Sequence, residues 1–128
     1  MTSMNPQALD ALRSCVDPDH VLVDGDLSAW EQDWRKRWRG KAGAVVRPGS
    51  TEQVAAVVQV CITHGLSLVP QGGNTGLVGG GVPDTSGSQV LLSLARLNRV
   101  RAIDAANLTI TAEAGCILQA VQEAAAAQ

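Results

Sequence analysis

Apolar positions along this chain recur at two different spacings, and the change between them marks out its elements. Leu9, Leu12 and Val16 share one face at helical spacing. With Asn5 as a cap and Pro6 suited to the first turn, they predict a helix over Asn5–Val16. Asp17-Pro18-Asp19 ends it, and Asp24-Gly25 is a turn signal. Trp30, Trp34 and Trp38 follow at intervals of four, which predicts a helix across Trp30–Arg39 with the tryptophans stacked on one side. The favoured reading packs that stripe on the domain and turns the arginines to water. A nucleic-acid or membrane-surface patch is the competing reading, weakened by Glu31 and Asp33, which dilute the basic charge.

Ala44-Val45-Val46, closed by Pro48-Gly49, predicts a buried strand. Ser50-Thr51-Glu52-Gln53 has the form of a capping box, and Val54, Val57, Val58 and Cys61 continue at helical spacing to a Gly65 stop. Leu66–Val69 is a second short apolar run, so strand, helix and strand form a βαβ unit whose strands are expected to be parallel and buried. Val90–Leu94 is a third strand. Val100–Asp104 and Leu108–Glu113 alternate around Ala105-Ala106-Asn107 and predict an antiparallel hairpin. Ile117, Leu118, Val121 and Ala124 begin a last amphipathic helix with no cap after it. The fold class expected is α/β (α+β), a small parallel sheet followed by the start of a second, antiparallel sheet. The expected division is residues 1–29, a helix and connecting segment, and residues 30–128, the front of a larger domain. The open sheet and the last helix leave apolar surface, from which a homo-oligomer is expected.

Composition narrows the function classes. Of 128 residues, 45% are apolar and 17% charged, which excludes disorder as the main state. A net charge of −2 argues against nucleic acid as the main partner. No uncharged apolar run reaches the ~18 residues of a membrane span. The first ten residues lack the basic start and apolar core of a secretion signal. Cys15, Cys61 and Cys116 are odd in number and widely spaced, as expected of reduced thiols in a cytoplasmic protein, with Cys61 filling core.

The candidate chemistry lies between Pro70 and Ser88, where the chain carries seven of its 13 glycines, from Gly72 to Gly87. A loop of this length inside a compact domain is generally functional. Residues without Cβ can turn successive N–H groups into one concavity that suits a phosphate or pyrophosphate. Asn74 and Thr75 are expected to add side-chain donors at its centre. The place is right as well, since open α/β sheets bind ligands at the carboxyl ends of parallel strands. Two common phosphate motifs are absent: Gly40-Lys41 lacks the upstream glycine of a Walker loop, and Asp84 stands where a dinucleotide fingerprint needs its third glycine. The two histidines, His20 and His64, imply no metal site. No catalytic base stands out, so the chain by itself is not expected to turn over a substrate.

Arg47-Pro48, the helix after it, Pro70-Gln-Gly-Gly-Asn-Thr-Gly-Leu-Val-Gly-Gly80, Leu92-Ser-Leu-Ala-Arg-Leu-Asn98 and Ala112-Glu-Ala-Gly115 occur in this order. Together with Asp33-Trp34 and Arg39-Gly40, they resemble the N-terminal part of the PCMH-type FAD-binding domain of the vanillyl-alcohol-oxidase-like flavoproteins. Within these, the chain looks most like the D-2-hydroxyacid dehydrogenases, a branch that includes D-2-hydroxyglutarate dehydrogenase, D-lactate dehydrogenase and the glycolate oxidase D subunit. The resemblance implies FAD as cofactor, with Gln71, Gly72, Gly73, Asn74, Thr75 and Gly76 around the pyrophosphate. It continues Leu77, Val78, Gly80 and Gly81 towards the flavin and places Gly115 at the cofactor's border. Covalent relatives carry His where Asn74 stands, so attachment here is expected to be non-covalent; many close relatives have Ser at Gly81. The implied reaction of the complete enzyme is hydride transfer from a small D-2-hydroxyacid to flavin. A non-catalytic interaction module of the same fold, or a self-contained anion- or nucleotide-binding domain, is the alternative.

Overall fold

A computed structural model describes residues 4–128. Helix α1 (Pro6–Cys15) starts at Asn5, whose side chain accepts the Gln7 N–H. After a 3-10 turn at Pro18–His20 come a short strand, β1 (Val21–Leu22), and a single helical turn, α2 (Ser28–Glu31). Strand β2 (Ala44–Val46), helix α3 (Thr51–His64) and strand β3 (Leu68–Gln71) form the expected βαβ unit. Ser50 caps α3 by accepting the Gln53 N–H, while the Gln53 side chain reaches back to the Gly49 N–H. Gly65 ends the helix in the left-handed region at φ 63°, where glycine has no Cβ penalty.

The third strand, β4 (Val90–Ser93), does not add at the edge. The sheet order is β1-β2-β4-β3, so β4 lies between β2 and β3 and is parallel to both. The two strands of the βαβ unit are therefore parallel, as expected, but not neighbours. Nor is β3 a buried strand: it is an edge strand, only half-buried over Leu68–Val69, with Pro70 exposed. Proline, with no N–H to give a ladder, belongs at such an edge. The alternation along β2 and β4 splits the core. Ala44, Val46, Val90 and Leu92 face α1 and α3, meeting Leu12, Val16, Val57 and Cys61. Val45 and Leu91 face the other way, towards Leu27, Ala42 and Trp30.

The predicted tryptophan helix does not form. Helix α2 stops at Glu31, and Gln32 pairs with Arg39 across a tight reversal in which Lys36 has φ 57°. Asp33 works against the helix, because its side chain captures the Trp38 N–H that a helix would have used, and Glu31 holds the chain beyond it. Asp33 donates its backbone N–H to the Trp38 carbonyl and accepts the Trp38 N–H on Oδ1 at 2.9 Å. Glu31 accepts the Ala42 N–H on Oε2 at 2.8 Å and pairs with Arg39 at 3.5 Å. The tryptophans end in three settings: Trp30 half-buried in the core, Trp34 and Trp38 exposed on the reversal.

The second sheet is the expected hairpin, β5 (Val100–Asp104) with β6 (Thr109–Ala112), antiparallel and bulged between Val100 and Ala102. Helix α4 (Leu118–Ala126) follows, with no buried residue. The hairpin is tied down through Glu113, whose side chain is only 4% exposed. It accepts the Arg99 N–H and both the Arg99 and Arg101 guanidinium groups, and Arg101 also reaches Thr51 at the start of α3. These bonds, the Arg99 N–H first, hold the carboxyl below the usual glutamate range, while desolvation pulls the other way. A lowered native pKa means that the stabilisation is complete above the ordinary value of about 4.3 and is lost as pH falls through the native value. Glu113→Gln is therefore expected to lower the melting temperature at neutral pH. The gap to wild type should close on acidification, as measured by thermal melts between pH 7 and pH 3.

Candidate cofactor site

The glycine-rich segment leaves the carboxyl end of β3 and returns to β4, and its own backbone makes almost no internal bonds. Among the described residues, no N–H from Gly72 to Gly81 donates to a protein acceptor. What orders the loop is side-chain amides. Gln71, 4% exposed, donates from Nε2 to the carbonyls of Trp30 at 2.9 Å and Gly81 at 2.7 Å, so it fastens both ends of the loop to α2. Asn74, with φ 55°, donates from Nδ2 to the carbonyls of Ala29 at 3.0 Å and Gln32 at 2.7 Å. Asparagine suits this place because it tolerates the left-handed region and carries two donors. Further on, the left-handed Gly79 (φ 79°) lies against the Trp38 ring, where a Cβ would come within 3.2 Å. The far end is held by the Lys41 N–H on the Asp84 carbonyl, and Gly40 passes so close to the Pro83 carbonyl that no Cβ fits.

A cleft of about 230 Å³ results, lined by Gln71 to Gly76, Gly79, Gly81, Val82 and Asp33. The structure thus brings together Gln71, Gly72, Gly73, Asn74, Thr75, Gly76 and Gly81 of the residues expected from sequence. Leu77, Val78 and Gly80 sit outside the lining, on the exposed outer turn. Gly115 is also elsewhere: its N–H donates to the Leu97 carbonyl, and a Cβ there would collide with the Leu94 carbonyl. The expectation for the Asn74 side chain needs correction. Both its amide hydrogens are already engaged on carbonyls of the 29–32 segment, so the Asn74 side chain latches the loop to that segment. Asp33, Gly79 and the carbonyls of Ala29, Trp30 and Gln32 were missed by the sequence reading. Asp33 could have been found from its place beside Trp34 in the family pattern, but as a charge among arginines it passed for a solvated residue.

Comparison with known proteins gives this geometry a family. A model of the FAD binding domain matches residues 42–128. The chain belongs to that family. The D-2-hydroxyglutarate dehydrogenase of Xanthomonas citri pv. viticola is 39% identical over 122 residues, covering 95% of this chain and 24% of the relative. The D-2-hydroxyglutarate–pyruvate transhydrogenase of Saccharomyces cerevisiae is 34% identical over 119 residues, covering 91% and 24%. This chain spans about a quarter of the length of these curated relatives. Among solved structures, an alkyldihydroxyacetonephosphate synthase superposes with a TM-score of 0.82 at 20% identity, covering 97% of this chain and 25% of that one. p-Cresol methylhydroxylase gives 0.74 at 24% identity, covering 92% and 24%. Both share the mixed parallel and antiparallel fold. FAD is the cofactor of this family, and the residues present fit it. A run of N–H groups without protein acceptors suits a pyrophosphate, and an added Cβ at Gly72 or Gly76 would meet nothing within 4 Å, leaving the approach open.

The latch makes a prediction. Asn74→Ala removes two bonds, with an expected loss of about 1–3 kcal/mol, whereas Asn74→Asp sets carboxylate oxygens against two carbonyls and should cost more. Urea unfolding of both variants beside wild type checks the order.

Proposed function

We propose that this chain supplies the pyrophosphate-holding part of a non-covalent FAD site in a flavoenzyme that oxidises small D-2-hydroxyacids. The observation that carries the reading is the run of unused N–H groups from Gly72 to Gly81 at the carboxyl end of a parallel strand. In the proposal, the N–H groups of Gly72, Gly73, Asn74, Thr75 and Gly76 hold the two phosphates, Leu77, Val78, Gly80 and Gly81 lead towards the flavin, and Gly115 borders it. Gln71 and the Asn74 side chain act indirectly, by holding the backbone in its donating shape. Bound FAD supplies the hydride acceptor. Pro70–Val82 contains no His, Cys or Tyr to which a flavin could be joined, which supports non-covalent binding. The D-2-hydroxyacid class rests on the relatives' names, since their substrates are 2-hydroxyglutarate compounds.

Gly73 is the position to test. Its φ is outside the left-handed region, and only the Thr75 methyl, at 4.0 Å, lies near an added Cβ. Gly73→Val should therefore leave the melting temperature nearly unchanged while its side chain fills the cleft and abolishes FAD uptake. Arg35→Ala and Arg37→Ala, on exposed positions of the reversal, should leave uptake intact. Flavin fluorescence titration reads all of these. Equal uptake by Gly73→Val and wild type would remove the loop from the cofactor site.

Two further parts of the reading concern the surroundings. No helix among the described residues is long and apolar enough to cross a membrane. The three cysteines are unpaired, and burial raises the Cys15 and Cys61 thiols, which supports a reducing compartment such as the cytoplasm. Ile117 and Leu118 are 73% and 70% exposed on α4 and its cap, which supports self-association. Light scattering at moderate concentration should give at least the dimer mass; a monomer would count against it.

A further inference from the structure

Asp33 has one carboxylate oxygen in use and one without a partner. Its side chain is buried, with the whole residue 4% exposed, and Oδ1 accepts the Trp38 N–H. Oδ2 is closed to solvent and has no hydrogen-bond donor among the described residues. The neighbouring buried carboxylate is different, since Glu31 has both oxygens engaged, by Ala42 and Arg39. An orphaned buried acceptor calls for an explanation. Its position suggests one: Asp33 lines the glycine-loop cleft and an adjoining cleft of about 540 Å³, and the two meet at Gly73 and Asn74.

Beside it the loop carries a run of N–H donors with no protein acceptor. A bare oxyanion would satisfy the N–H groups but would face the like charge of Asp33. A ligand that carries acceptor oxygens beside a hydroxyl satisfies both. FAD has that chemistry, because its pyrophosphate is esterified on either side to a polyol; inorganic pyrophosphate does not.

We propose that Asp33 is a cofactor contact, its free oxygen accepting a hydrogen bond from a sugar hydroxyl of FAD next to the pyrophosphate. The carboxylate then has two uses: one oxygen shapes the 33–38 reversal, and the other selects an esterified pyrophosphate over a free one. This inference rests on the proposed FAD site and adds a specificity residue to it.

The test is Asp33→Asn, which keeps an oxygen for the Trp38 N–H and replaces the free acceptor by an NH₂ group. FAD affinity is read by flavin fluorescence, and inorganic pyrophosphate affinity by shifts of the loop amides in ¹⁵N spectra. FAD should weaken about ten- to a hundredfold, as for one lost hydrogen bond to a charged group. Pyrophosphate should bind as well as to wild type or better. Unchanged FAD affinity, or parallel loss of both ligands as a merely structural role would give, overturns the proposal. A second measurement needs no variant: in the wild-type protein the Asp33 carboxyl carbon resonance should move with FAD and stay with pyrophosphate. A resonance that ignores FAD while the loop amides respond overturns the proposal and leaves the FAD site standing. A wild-type protein that takes up no FAD overturns both.

Discussion

The site depends on a division of labour between backbone and side chain. A loop whose N–H groups are kept for a ligand cannot use them to hold its own shape, so something else must. Here it is four hydrogen bonds from two amide side chains, Gln71 and Asn74, to carbonyls of Ala29, Trp30, Gln32 and Gly81. The arrangement requires donors without charge, since a lysine would add a cation to the cleft and a carboxylate would oppose the carbonyls it must meet. It also requires acceptors that do not move. That explains why the 28–42 segment is itself held by buried carboxylates, with Glu31 on Ala42 and Asp33 on Trp38. Each layer lends its hydrogen bonds to the next.

The elements with strong periodicity were legible from sequence: α1 with its Asn5 cap, α3 between Ser50 and Gly65, the β5–β6 hairpin, and the start of α4 near Ile117. Local patterns decide these, and local patterns are what a sequence displays. The reversal at Trp30–Arg39 was illegible for the converse reason. Its tryptophan spacing fits a helix, but the Trp38 N–H goes to Asp33 and Glu31 reaches Ala42 beyond the segment, and the charge of both acids pointed to solvent. Likewise, the insertion of β4 between β2 and β3 leaves no periodic trace, because a parallel strand has the same apolar pattern whichever neighbours it takes.

For the site, residue types foretold the chemistry better than the division of roles. Glycine density and placement after a strand identified the loop. They did not reveal that Asn74 spends its side chain inward, or that the exposed outer turn at Leu77–Val78 lies away from the cleft. Sequence order places Gly115 with Ala112-Glu113, yet its lack of a Cβ answers to the Leu94 carbonyl rather than to the cleft. A glycine needed for close backbone packing and one needed for a ligand look the same in a sequence.

The inserted position of β4 ties the loop to the order in which the chain folds. β4 pairs Val90–Leu92 with Ala44–Val46 on one side and with Leu68–Pro70 on the other, and both partners precede it in the chain. During synthesis the glycine segment emerges before β4, so until that strand arrives only the bonds of Gln71 and of Lys41 to Asp84 can join its ends. Closing it is a non-local event whose entropic cost falls on the most flexible stretch of the chain. The sheet that carries the cleft is thus completed only by its last-made strand.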